Sequence, residues 1–193
     1  MPASTTNRFP LLGEPIALDL ANTRVRRQGE TVDLLDTPAA LAAWLRYEHA
    51  RLPWAGTVTG GDVTAVRELR DAVVVLLDAA QQHTRAPASA LHSLNAALAD
   101  GRATSLQLGW TDTQPHLVAP RAHTRRSVLL HALAADAIAL LTGPDAKRLR
   151  QCAHPDCILR FVATNPRRRW CCDATCGNRA RVARHYLRHR EAH

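Results

Sequence analysis

Apolar residues recur at helical spacing through most of the chain and alternate in only a few short stretches, so the pattern predicts a helix-dominated fold with minor strands. Ile16, Leu18 and Leu20 alternate with Ala17 and Asp19, which predicts a short half-buried strand ending at Asn22. Thr37-Pro38 supplies a helix cap and a first-turn proline, and Leu41, Trp44 and Leu45 form an apolar face expected to run to about Leu52, before Pro53. Gly60-Gly61-Asp62 opens a longer helix to about His83 with Val66, Leu69, Val73, Leu76 and Leu77 on one face. Pro87 starts another, carrying Leu91, Leu94 and Leu98. Residues 103–109 and 114–119 predict two strands joined through Trp110-Thr111-Asp112-Thr113, and an apolar helix from about Thr124 to Leu141 ends at Gly143-Pro144. Residues 1–13 read as a loose lead.

Charge divides the chain where the pattern does. Residues 147–193 hold 12 Lys+Arg against 3 Asp+Glu, a net of +9, within a whole-chain charge of +8. A domain over 1–146, α+β and mainly α-helical with a few short strands, is therefore expected to precede a small basic module over 147–193. All basic residues but Lys147 are arginine, which stays charged and binds phosphate through two donors at once. The start of the chain lacks a basic segment followed by an apolar run, and no apolar stretch is long enough to span a membrane, so a cytoplasmic protein with no membrane partner is expected.

In the basic module Cys152 and Cys157 form one CxxxxC pair and Cys171 and Cys176 a second, thirteen residues on. Clustered cysteines in a reducing compartment point to metal, and four thiolates close a tetrahedral shell around one structural zinc with no open position for chemistry. Cys172 also lies within ligand spacing of Cys176, so spacing leaves Cys171 and Cys172 both open; His154, inside the first knuckle, reads as a loop residue. The order is knuckle, apolar strand (Ile158 to Val162), turn at Asn165-Pro166, second strand through Arg169-Trp170, knuckle, then a helix from about Ala174 to Arg190. It is treble-clef-like, a module small enough to need zinc to fold.

Trp170-Cys-Cys-Asp-Ala-Thr-Cys-Gly-Asn-Arg179 resembles the CGNR zinc-finger family, with Arg168-Arg169-Trp170-Cys171 similar to its RRWC segment. The resemblance implies Cys171 as the ligand, with Cys172 at a position more usually serine; Ala163 departs from a common aspartate. Gly13-Glu-Pro-Ile-Ala-Leu-Asp-Leu-Ala-Asn-Thr23 resembles the ABATE domain that commonly precedes this finger. Together they imply a stress-induced, DNA-binding transcription regulator.

On the terminal helix Arg181, Arg184 and Arg188 fall on one arc, and Val182, Ala183, Tyr186 and Leu187 on another expected to pack. With Arg167, Arg168 and Arg169 on the hairpin, these arginines are the candidate contacts to nucleic acid, double-stranded DNA first. Asn178 and Arg179 are expected to brace the knuckle. RNA or a ribosomal partner, and a zinc-stabilised protein-interaction module, are the alternatives, and a sensor role for the first domain has no identifiable pocket in the sequence. Asp19, Asn22 and the histidines at 49, 83, 92, 116, 123 and 131 share no catalytic motif, so no enzyme is expected. Trp44, Trp54 and Trp110 read as core.

Overall fold

The computed structural model describes residues 8–10, 12–52, 54–100, 107–111, 114–118 and 124–190. Its first element corrects the sequence reading. Ile16–Ala21 is a helix, α1, and all six of its residues are buried, Asp19 included. Alternation misled because both sets of positions lie inside. A six-residue helix is too short to hold itself, and Asp136 of a later helix supplies what it lacks: its Oδ2 accepts the Ala17 N–H at 2.7 Å.

The next two strands have no counterpart in the sequence reading. β1 (Arg24–Arg27) and β2 (Glu30–Asp33) pair antiparallel around Gln28 and Gly29, both left-handed, the geometry that matches strand twist in a two-residue hairpin. Arg70, fully buried, grips both oxygens of Asp33 at 2.7 Å and the Thr23 hydroxyl at 3.2 Å, tying this hairpin to the long third helix.

α2 (Pro38–Tyr47) starts with Thr37 Oγ1 accepting the Ala40 N–H and buries Leu41, Trp44 and Leu45. It stops at Tyr47 rather than Leu52; Leu52 is still buried, on a turn bonded to Glu48. Pro53 lies outside the described residues. α3 (Gly60–Gln82) opens with a reciprocal capping box between Thr59 and Asp62 and buries Val66, Leu69, Val73, Leu76 and Leu77 as expected. α4 (Ala88–Asp100) buries Leu94 but leaves Leu91 exposed. The expected hairpin forms as β3 (Gln107–Thr111) and β4 (Gln114–Val118), with Trp110 and Thr111 inside the first strand rather than in the turn; residues 103–106 and 119 are outside the described residues.

α5 (Arg125–Thr142) packs against α1, α3 and α4 and sets Leu129, Leu133 and Leu140 in the core. A short 3-10 turn, Pro144–Arg148, leads into β5 (Leu149–Gln151), which pairs antiparallel with β6 (Arg160–Val162). The expected partner of β6, a strand through Arg169-Trp170, does not form. Leu149, N-terminal to the first knuckle, takes that place because its side chain and that of Val162 join the main core. A π turn, Asp173–Gly177, then starts α6 (Asn178–Arg190).

Candidate zinc centre and nucleic-acid interface

Two short turns bring four thiols together. Cys152 and Cys157 flank the knuckle after β5, where Cys157 N–H bonds to His154 O at 3.0 Å; Cys171 precedes the π turn and Cys176 lies within it, where Gly177 N–H bonds to Cys172 O at 3.1 Å. The sulfurs of Cys152, Cys157, Cys171 and Cys176 all lie within 4.8 Å of one another, and all four residues are buried. Cys157 to Cys171 is 3.8 Å and Cys171 to Cys176 is 3.6 Å. Zinc–sulfur bonds of about 2.3 Å at tetrahedral angles require sulfurs about 3.8 Å apart, whereas a disulfide requires about 2.0 Å. The set therefore fits one structural zinc ion. It leaves no ligand position open.

Burial holds the Cys152 thiol up, so the surroundings alone do not ionise all four sulfurs. Without a cation the thiols share protons unevenly: a hydrogen bond from Cys171 pulls Cys157 down to about 5, while donating that proton, together with burial, pushes Cys171 up. A divalent ion removes that competition. The Cys171 N–H points to Cys152 Sγ at 3.4 Å, and Arg179 Nη2 donates to Cys176 Sγ at 3.2 Å, placing a positive charge beside a centre whose four thiolates exceed the ion's charge by two. Asn178 takes part through its backbone, its N–H reaching the carbonyls of Asp173 and Thr175, while its side chain is exposed and braces nothing among the described residues. Gly177 packs closely: a Cβ there would lie 3.1 Å from the Trp170 ring, which would have to give slightly, and 2.3 Å from Asp173 Oδ1, the end of an exposed side chain that can turn away. Cys172 stands outside the cluster, half-buried, with Thr175 hydrogen-bonding its sulfur. His154 also stands outside it, and its Nδ1 accepts the Asp156 N–H at 3.2 Å.

The six candidate arginines separate. Arg168 turns inward: it donates to Trp170 O at 3.2 Å, Val162 O at 3.2 Å, Cys171 O at 2.8 Å and Glu14 Oε1 at 3.3 Å, with its guanidinium 4.2 Å over the Phe161 ring. Those contacts make it a strut of the finger. Arg167 and Arg169 stay exposed beside it, Arg169 stacked on Trp170. On α6, Arg181 is tied to the Asp173 carboxylate at 3.2 Å, Arg184 Nε reaches Ala180 O at 3.3 Å, and Arg188 is exposed. Of the face expected to pack, Val182, Ala183 and Tyr186 are all exposed, Tyr186 at 68%, and the Leu187 side chain lies outside the described ones. After the π turn, α6 extends beyond the core that would have covered them.

Sequence reasoning missed the residues that hold the finger in place. Residues 160 and 162 present their backbone groups on the edge of β6 away from β5, and side chains of the N-terminal domain occupy that edge. Asn22 Nδ2 donates to Arg160 O at 2.9 Å, Asn22 Oδ1 accepts Arg160 N–H at 2.8 Å, and Glu14 Oε2 accepts Val162 N–H at 2.8 Å. Asp78 on α3 adds an ion pair to Arg160 at 2.5 Å. Both Asn22 and Glu14 belong to the segment that resembles ABATE, where Asn22 reads as turn chemistry; only burial distinguishes it as a tertiary clamp.

Two known families match parts of the chain. Residues 14–144 match ABATE, described as "Putative stress-induced transcription regulator", and residues 148–189 match the CGNR zinc finger. No curated protein matches the chain. By the span of the first match and the cysteine cluster inside the second, the chain belongs to the ABATE family and carries a CGNR zinc finger.

Proposed function

We propose that the protein is a DNA-binding transcription regulator, not an enzyme, in which zinc organises the finger and α6 enters the major groove of duplex DNA. The observation that carries this reading is the exposure of α6: every described side chain from Arg181 to Tyr186, and Arg188, faces solvent around a helix with Arg181, Arg184 and Arg188 on one arc. Thirteen residues make a rod about 20 Å long, ample to lie in a groove about 12 Å wide. Arg167 and Arg169 stand beside it for phosphate contacts, and the module's net charge, about +7 after four thiolates and one zinc ion, draws a polyanion.

Tyr186 favours a second reading. An exposed aromatic among arginines can stack on an unpaired base, which duplex DNA does not offer and folded RNA does. Mobility shifts of the zinc-loaded full chain with labelled duplex DNA, competed by unlabelled duplex or structured RNA, separate the two. Preferential competition by duplex supports the proposal; preferential competition by RNA favours the second reading, and no shift at low salt leaves protein interaction as the role of the finger.

A further inference from the structure

The N-terminal domain carries a cleft that the finger does not use. It lies where the starts of α3 and α5 meet, has a volume of about 440 Å³, and is lined by Trp54, Thr57, Thr59, Asp62, Arg125 and Arg126 among others. A second concavity, bordered by Arg46, His49 and Gly56, shares Trp54 as a wall. The volume falls within the range of small-molecule sites.

Two guanidinium groups define its chemistry. Arg125 Nη1 donates to Ala55 O at 3.0 Å and lies over Gly56, where a Cβ would be 1.7 Å away; Arg126 Nε holds Asp62 Oδ1 at 2.6 Å, and its Nη2 lies over Gly61, where a Cβ would be 2.7 Å away. Each arginine is thus fixed by one bond and seated on a glycine that admits it, with further N–H donors left for a ligand. Asp62 neutralises one of the two charges. The other remains, and the helix starts at Thr59 and Thr124 add a field of the same sign. Trp54, half-buried with its Nε1 bound to Gly56 O at 3.2 Å, offers a flat apolar wall beside these donors.

We infer that this cleft binds a small metabolite through an oxyanion, a phosphate or a carboxylate held by Arg125 and Arg126, with its flat body against Trp54. Arg125 carries the free charge and is the group to change, because Arg126 also holds the Asp62 cap of α3. The test uses the zinc-loaded full chain, with amide and side-chain NMR signals followed during titration with inorganic phosphate, AMP and benzoate. Saturable shifts at Gly60, Gly61 and the Trp54 indole are expected for at least one probe, with affinity about tenfold weaker in Arg125→Gln. The control Arg85→Gln, beyond the far end of α3, leaves affinity unchanged. The phosphate and benzoate arms distinguish the two oxyanion types, and AMP tests the wall. Shifts confined to α6, binding unaltered by Arg125→Gln, or no saturable shift with any probe would overturn the inference, whether or not the finger binds DNA.

Discussion

Asn22 and Arg160 are joined as two strands would be: one side-chain amide gives and receives a hydrogen bond, at 2.9 and 2.8 Å, with the backbone of a residue 138 positions away. Glu14 continues the pairing two residues on, at Val162. An otherwise open sheet edge in the finger is thereby covered by the N-terminal domain. The finger is held at a defined orientation, and α6 with it.

Asn22→Ala is expected to strand two buried backbone groups of Arg160 and to destabilise the protein by about 2–4 kcal/mol. Urea unfolding measures the loss. Hydrogen exchange at the Arg160 and Val162 amides should accelerate well before exchange in α3, and an unchanged exchange pattern would show that the clamp does not hold the finger.

Zinc removal follows from the sulfur geometry. Serine at 152, 157, 171 or 176 is expected to abolish stoichiometric zinc and unfold the finger, since zinc binding in comparable modules contributes about 10–16 kcal/mol. Cys172→Ser should keep one zinc per chain. Metal analysis of the purified variants checks both, and loss of zinc in Cys172→Ser would mean that the cluster draws on a different fourth sulfur.

Much of this architecture was legible from residue patterns, and the failures share a cause. The long helices could be read because one face of each is apolar at a regular spacing and the caps are local, as at Thr59 and Thr124. α1 could not, because burial on every side erases periodicity and its cap comes from Asp136 on another helix. The cysteine cluster could be read because metal geometry restricts spacing and the resemblance to the CGNR finger picks Cys171 over Cys172, yet the strand partner of β6 could not, because Leu149 takes that place through core packing. Arg168 looks like its neighbours in sequence and differs only in what surrounds it.

Asp19 gives a pH signature. Burial raises its carboxyl from 3.8 to about 6; Arg51, at 2.5 Å, offsets part of this, Glu48 adds to it, and its Oδ1 has no partner among the described residues. The folded state therefore holds this proton more tightly than the unfolded state, so the group favours folding at low pH and that contribution is lost as pH rises from about 4 to about 6. The urea midpoint of the wild type should fall relative to Asp19→Asn across that window and run parallel to it above. Asp33 and Asp62 shift the other way: burial opposes ionisation, but the hydrogen bonds from Arg70 and from Thr59 and Arg126 prevail and hold both carboxyls low. Their contribution is present above 3.8 and lost only at lower pH, outside the Asp19 window. Parallel curves throughout would contradict a buried, proton-binding Asp19.

If zinc presents the arginines of α6 to duplex DNA, binding must weaken steeply with salt. Fluorescence anisotropy of the zinc-loaded full chain on duplex DNA should give log affinity falling with log salt at a slope of about −4.5, for roughly five phosphate contacts from Arg167, Arg169, Arg181, Arg184 and Arg188. Combining Arg184→Ala with Arg188→Ala should make the slope shallower by about 2 at unchanged zinc content. Absence of binding at low salt, or a slope that this double substitution leaves unaltered, would show that α6 does not carry these arginines onto duplex DNA.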